Sequence, residues 1–179
     1  MDRTASIPWL VFVMIKMRTT VKQTADNSAD LMKGLRLLEK NQVLVGVPAA
    51  NASRQAEKGS EISNAAIGYI SQFGSPPQNI PARPWLDVGV KDVQNGITQQ
   101  FQKAGEAALD GKSDVALKRF HAAGIIAVSG VKARINSNIP PPLAASTLAS
   151  RRRRGHSGTR TLIETAQFRN SVTHILREK

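Results

Sequence analysis

The sequence predicts an α+β fold, with a small antiparallel β-sheet packed against two or three helices, an extended N-terminal arm and long loops. Three observations carry this. Two short stretches rich in β-branched residues, "QVLVGVP" at 42–48 and "SVTHIL" at 171–176, read as strands near opposite ends of the body. Between them, apolar residues recur at helical spacing over two long segments, 85–110 and 113–138. Ahead of both lies "SPPQNIPARP" at 75–84, four prolines in ten residues, which excludes helix and central strand because proline fixes φ and lacks a donor.

The elements follow in order. The nine-residue apolar run "IPWLVFVMI" at 7–15 is far short of the roughly 20 residues of a membrane helix. "KMRTTVKQT" follows it where a secretory signal would carry small residues for cleavage, so it reads as a β-rich arm that packs on the body or on another subunit. Residues 1–25 are assigned to this arm and 26–179 to a single domain, the size that one core supports. In "NSADLMKGLRLLEKN", Leu31, Leu35 and Leu38 share one helical face, with Ser28 as N-cap and Asn41 at the exit. The 49–60 stretch lacks periodicity and reads as an exposed loop. Ile62, Ala66, Tyr69, Ile70 and Phe73 are expected on the inner side of the next helix, which Gly74 stops.

Pro84 is suited to the first position of the helix that follows, which runs to about Asp110 with Val90, Val93, Ile97, Phe101 and Ala108 inward and Gly111 after it. Its antiparallel partner, Ser113 to about Asn138, turns Leu117, Phe120, Gly124, Val128, Val131 and Ile135 inward. "IPPPL" at 139–143 ends the helical region. "AASTLAS" then leads into "RRRRGHSGTR", which has no apolar residue and reads as a flexible basic loop. A short helical turn and the second strand close the chain.

Charge narrows the classes of partner. Lys and Arg number 25 against 13 Asp and Glu, a formal +12, and residues 131–179 alone carry ten basic and two acidic residues. Such an excess points to an anionic partner: nucleic acid, a membrane surface or an acidic protein face. Arg151, Arg152, Arg153 and Arg154, with Arg160 nearby, are the densest cationic feature. Guanidinium groups bind phosphates in bidentate fashion and release counterions, and they equally dock on an acidic patch of a neighbour. Eight aromatics in the whole chain, none interleaved with the run, give no support to base stacking or sequence reading.

Catalytic chemistry is not indicated. There is no cysteine, and His121, His156 and His174 stand at no metal-ligand spacing from one another. No glycine-rich phosphate loop is present, and Asp87 and Asp92 fall on different helical faces. No enzyme activity, cofactor or metal is expected.

Two stretches together resemble a known family. "ISNAAIGYISQFGSPPQNIPARPWLDVGV" is similar to a segment of tailed-bacteriophage minor structural proteins, in which a helix ending in an aromatic-Gly pair leads to an "IPARPFL"-like motif. "PPLAASTLASRRRRGHSGTRTLIETAQFRNSVTHIL" resembles their C-terminal end, where a loop of variable length precedes a "PLIDTGxLRxSI"-like motif. Order and spacing both match, over roughly residues 30–179. The resemblance is to the tail-completion or neck proteins, including the Mu-like virion morphogenesis proteins and lambda-like minor tail components. The first motif falls on Ile80, Pro81, Ala82, Arg83, Pro84, Trp85 and Leu86, with Trp85 where phenylalanine is usual. The second falls on Leu162, Ile163, Glu164, Thr165, Ala166, Phe168, Arg169, Ser171 and Val172, with Glu164 in place of aspartate and Ala166 in place of a turn glycine.

The resemblance implies a virion protein, assembled in the host cytoplasm, that forms a ring at the neck or head-proximal end of the tail. Its partners would be further copies of itself, as in a hexamer, and tail-tube, terminator or connector proteins, with non-specific contact to genomic DNA in the lumen and none to membrane. A head-side adaptor or stopper, or a small basic nucleic-acid-binding protein, are the alternatives. Expected interface residues are Ile80, Pro81, Arg83, Pro84, Trp85, Leu86, Leu162, Thr165, Phe168 and Arg169. Arg151 to Arg154 and Arg160 are expected to meet DNA or a partner. Trp85 leaves two uses open, an anchor for a neighbour or a lid on the chain's own core.

Overall fold

The computed structural model describes residues 28–52 and 62–179. The N-terminal arm and most of the 49–60 loop therefore lie outside the described residues. Within them the fold is α+β with helices predominating. Helix α1 (Ser28–Lys40) ends where the Asn41 side-chain amide donates to the Leu37 carbonyl at 2.8 Å. It runs directly into β1 (Asn41–Gly46), which pairs antiparallel with the last element, β2 (Thr173–Glu178), in the register Asn41 opposite Glu178 through Gly46 opposite Thr173. The two β-branched stretches thus form one two-stranded sheet, with no third strand among the described residues.

Against this sheet lies α5 (Ser113–Asn136), the longest helix at 24 residues, antiparallel to α4 (Gln94–Leu109). Gly111, at φ +76°, makes the reversal between them with a backbone that glycine adopts without strain. Two apolar clusters divide the core along α5. One is built of Ala104, Ala107, Ala108, Ala116 and Phe120, with Leu37, Leu38 and Leu176 packed on it. The other joins Val131, Ile135, Ile139, Val172, Trp85 and Phe168. Small residues set the spacing: Gly34 of α1 rests on the Ala108 carbonyl, where a methyl group would collide with backbone.

Several expectations are corrected. The helix starting at residue 85 is two helices, α3 (Leu86–Asp92) and α4, broken at Val93 (φ −114°, ψ 14°) so that α3 crosses α5 at Gly89 and Gly130. Pro84 precedes the helix rather than opening it, since Trp85 is its N-cap. On α1 the inward residues are Gly34, Leu37 and Leu38, while Leu31 and Leu35 are exposed. On α4 the buried residues are alanines, and Phe101 is 41 % exposed. Helix α2 (Asn64–Phe73) buries Asn64, Gly68 and Gln72, and turns Tyr69 and Phe73 to solvent. The expected flexible loop begins as α6 (Ala145–Arg153).

Candidate functional site: the junction of two motifs

The two motifs, some eighty residues apart, interlock in space. Trp85 is 4 % exposed and meets Phe168 of α7 (Gln167–Ser171) edge to face, with ring centroids 5.0 Å apart and planes at 89°. This is the favoured arrangement for two quadrupolar rings. The indole Nε1–H donates to the Gly68 carbonyl at 3.0 Å, satisfying the one polar atom of the ring. Gly68 itself must be small, because a Cβ there would stand 3.1 Å from both aromatic rings. Gln72 completes the frame. Its Oε1 accepts from the backbone N–H of Trp85 and of Leu86, each at 3.0 Å, and its amide donates to Asp87 at 2.7 Å. Trp85 and Phe168 therefore fill the chain's own core, the second of the two uses left open for Trp85.

Arg83 is likewise turned inward. Its Nε and Nη2 donate to the Pro141 carbonyl at 3.1 and 2.8 Å, and Nη2 also reaches Pro142 at 3.3 Å. The proline-stiffened segment thus uses its arginine to hold the proline turn that follows α5. Burial pushes the Arg83 guanidinium below its usual value, and the two carbonyls supply the dipoles that retain the charge. Pro81 is exposed, while Ile80, Pro84, Leu86, Leu162, Thr165 and Arg169 are half-buried. Leu86 and Leu162 pack against the Trp85 cluster, and Arg169 donates to Asn136 at 3.3 Å. Ala166 adopts φ 59°, ψ 0°, so the turn that glycine makes in the resembling motif is made here by alanine in a left-handed conformation.

The arginine run divides. Arg151 is 5 % exposed, and its Nη1 donates to the carbonyls of Gly158, Arg160 and Ile163 at 3.1, 2.7 and 3.2 Å, with Nη2 3.4 Å from that of Thr161. The loop is wrapped around this guanidinium rather than left flexible. Glu164 stands 3.8 Å from Arg151 Nε and 2.7 Å from Arg154 Nη2, bridging both cations. Desolvation lowers the Arg151 value, Glu164 opposes this and Arg154 reinforces it. Arg151 is thus a loop-organising residue and is not open to phosphate. Arg154 is exposed but tied to Glu164, and Arg152, Arg153 and Arg160 are the other exposed cations of the group.

Beside this cage lies a cavity of about 200 Å³, lined by Ile67, Ser71, Arg151, Thr161, Thr165 and Gln167 among others. Three buried atoms of its lining residues, Arg151 Nε, Thr161 Oγ1 and Gln167 Oε1, have no hydrogen-bond partner. On the other side of the junction, Tyr69 and Phe73 lie tilted against each other with centroids 5.0 Å apart and are 68 % and 63 % exposed, with Ile62 at 49 % two residues before α2. A hollow of about 230 Å³ between this pair, Val47 and Leu86 opens onto the Trp85 edge. Helical spacing points these apolar residues of α2 inward, so this surface is not legible from period.

The histidines also depart from expectation. His121 of α5 and His174 of β2, 53 residues apart in sequence, lie side by side. No group of three or more His, Asp or Glu able to share a metal occurs among the described residues, and no described helix is long and apolar enough to cross a membrane. In comparisons with known proteins the chain matches no family model, no curated protein and no solved structure.

Proposed function

We propose that this chain is a non-enzymatic structural subunit of a tailed-phage virion, forming a ring at the neck or head-proximal end of the tail. The observation that carries the reading is the interlock of the two motifs through Trp85 and Phe168. The residues that resemble the tail-completion and neck proteins at two distant places pack together in one core, which supports reading them as one unit. The function of such a subunit is geometric. A rigid body presents one self-complementary or head-to-tail surface, and repetition around an axis closes the ring.

The exposed Tyr69, Phe73 and Ile62 supply the anchor types that dominate protein interfaces. Arg152, Arg153 and Arg160 supply a basic edge that would attract DNA phosphates in the lumen without reading sequence. Tail-tube, terminator or connector proteins would be the axial partners.

The test is sedimentation of the purified chain and of a Tyr69→Ser, Phe73→Ser double variant. The reading expects a ring-sized species for the former and a monomer of unchanged melting temperature for the latter. Identical sedimentation would remove α2 as the interface. The net charge of +12 favours a second reading, a small basic nucleic-acid-binding protein. That reading expects monomers binding duplex DNA with a steep salt dependence, abolished by serine at Arg152, Arg153 and Arg160.

A further inference from the structure

Two imidazoles converge where the C-terminal strand crosses the longest helix. His121 Nδ1 and His174 Nε2 are 3.3 Å apart, with the rings at 68° and their centroids at 5.5 Å. The spacing is within reach of an N–H···N hydrogen bond, toward the long end of the range. As a chelating pair it is the right size. Two nitrogens bound to one tetrahedral ion at about 2.0–2.1 Å must themselves stand about 3.3 Å apart.

We propose that His121 and His174 form a bidentate site for a late first-row divalent cation, Zn²⁺, Ni²⁺ or Cu²⁺, which ties β2 to α5. The class follows from the ligands, because imidazole suits these ions and not Mg²⁺ or Ca²⁺. The site is preorganised on one side. His174 lies on Gly124 of α5, where any Cβ would collide with the imidazole, so the ring packs directly on the helix in the space a side chain would fill. Burial, reinforced by the neighbouring His121, holds His174 below the ordinary imidazole value, which favours the neutral form that ligates metal. His121 is exposed, so the remaining coordination positions open to solvent, where water or a donor from a neighbouring copy completes them. His174 stands opposite Val45 in the sheet register, so the ion would fasten the strand that closes the fold. This inference is independent of the virion reading and stands or falls on its own residues.

The experiment is thermal unfolding and calorimetric titration of the full, untagged chain, stripped with chelator, against ZnCl₂, NiCl₂, CuCl₂ and MgCl₂. The expected result is one ion bound per chain for the first three, a rise in melting temperature of several degrees, and no response to Mg²⁺. His121→Gln, an exposed substitution that leaves the core intact, removes both the heat and the rise. Absence of binding by the wild-type chain, or an equal response in the His121→Gln variant, overturns the proposal.

Discussion

Replacing Trp85 by phenylalanine, the residue usual in the resembling motif, tests whether this position serves the core or a neighbour. The indole is 4 % exposed, so the loss is felt inside the chain's own core. Two contributions are calculable. The Nε1–H bond to the Gly68 carbonyl, 3.0 Å in length, disappears, which removes about 1 kcal/mol. Three heavy atoms go with it, roughly 35 Å³, and at about 24 cal/mol per Å³ of residual cavity this adds about 0.8 kcal/mol. The edge-to-face partner Phe168 keeps a phenyl ring to meet, so no larger loss is expected. The total of about 2 kcal/mol corresponds to a melting temperature lower by about 4–8 °C in a chain of this size. Urea unfolding followed by circular dichroism at equal protein concentrations measures it. A variant as stable as the wild type to within about 0.5 kcal/mol, but deficient in self-association, would refute the placement of Trp85 in the core.

Three further outcomes are expected. Ala166→Gly relieves a left-handed alanine, and the strain of about 1–2 kcal/mol outweighs the extra unfolded-state freedom of glycine, for a gain of about 0.5–1 kcal/mol in denaturant unfolding. Arg151→Met strips the donor from a ring of carbonyls while Glu164 keeps Arg154 at 2.7 Å, lowering stability by about 1–3 kcal/mol through the buried acceptors left unpaired, whereas Arg152→Ser with Arg153→Ser changes it by less than about 0.5 kcal/mol. Because His174 is held below the ordinary imidazole value, its neutral form is favoured in the folded state. Its contribution is therefore present above that ordinary value and is lost as pH falls through the lower folded one, so His174→Gln should flatten the fall in melting temperature below neutrality.

Much of the architecture is legible in the sequence because it rests on apolar spacing. The strands around Val43 and Ile175 follow from β-branched content, and the long helix carrying Phe120, Val131 and Ile135 from apolar period. What periodicity misses is burial driven by closeness or by hydrogen bonding. Helix α2 turns Asn64, Gly68 and Gln72 inward because Gly68 admits two aromatic rings and Gln72 caps the backbone of α3. An apolar pattern cannot register that stripe, and Tyr69 and Phe73 are left outside. Helix α6 has no apolar face, and its last turn carries Arg151, whose guanidinium gathers the carbonyls of residues further along the chain. The break at Val93 is marked by neither glycine nor proline. The partnership of His121 with His174 spans 53 residues, and only the crossing of β2 over α5 creates it.

The most direct test of the proposed role is the copy number of this protein in purified phage particles, measured by quantitative mass spectrometry against the portal protein. A tail-symmetric ring requires about six copies. About twelve would move the subunit to the head side as an adaptor, and its absence from particles would contradict the structural role altogether.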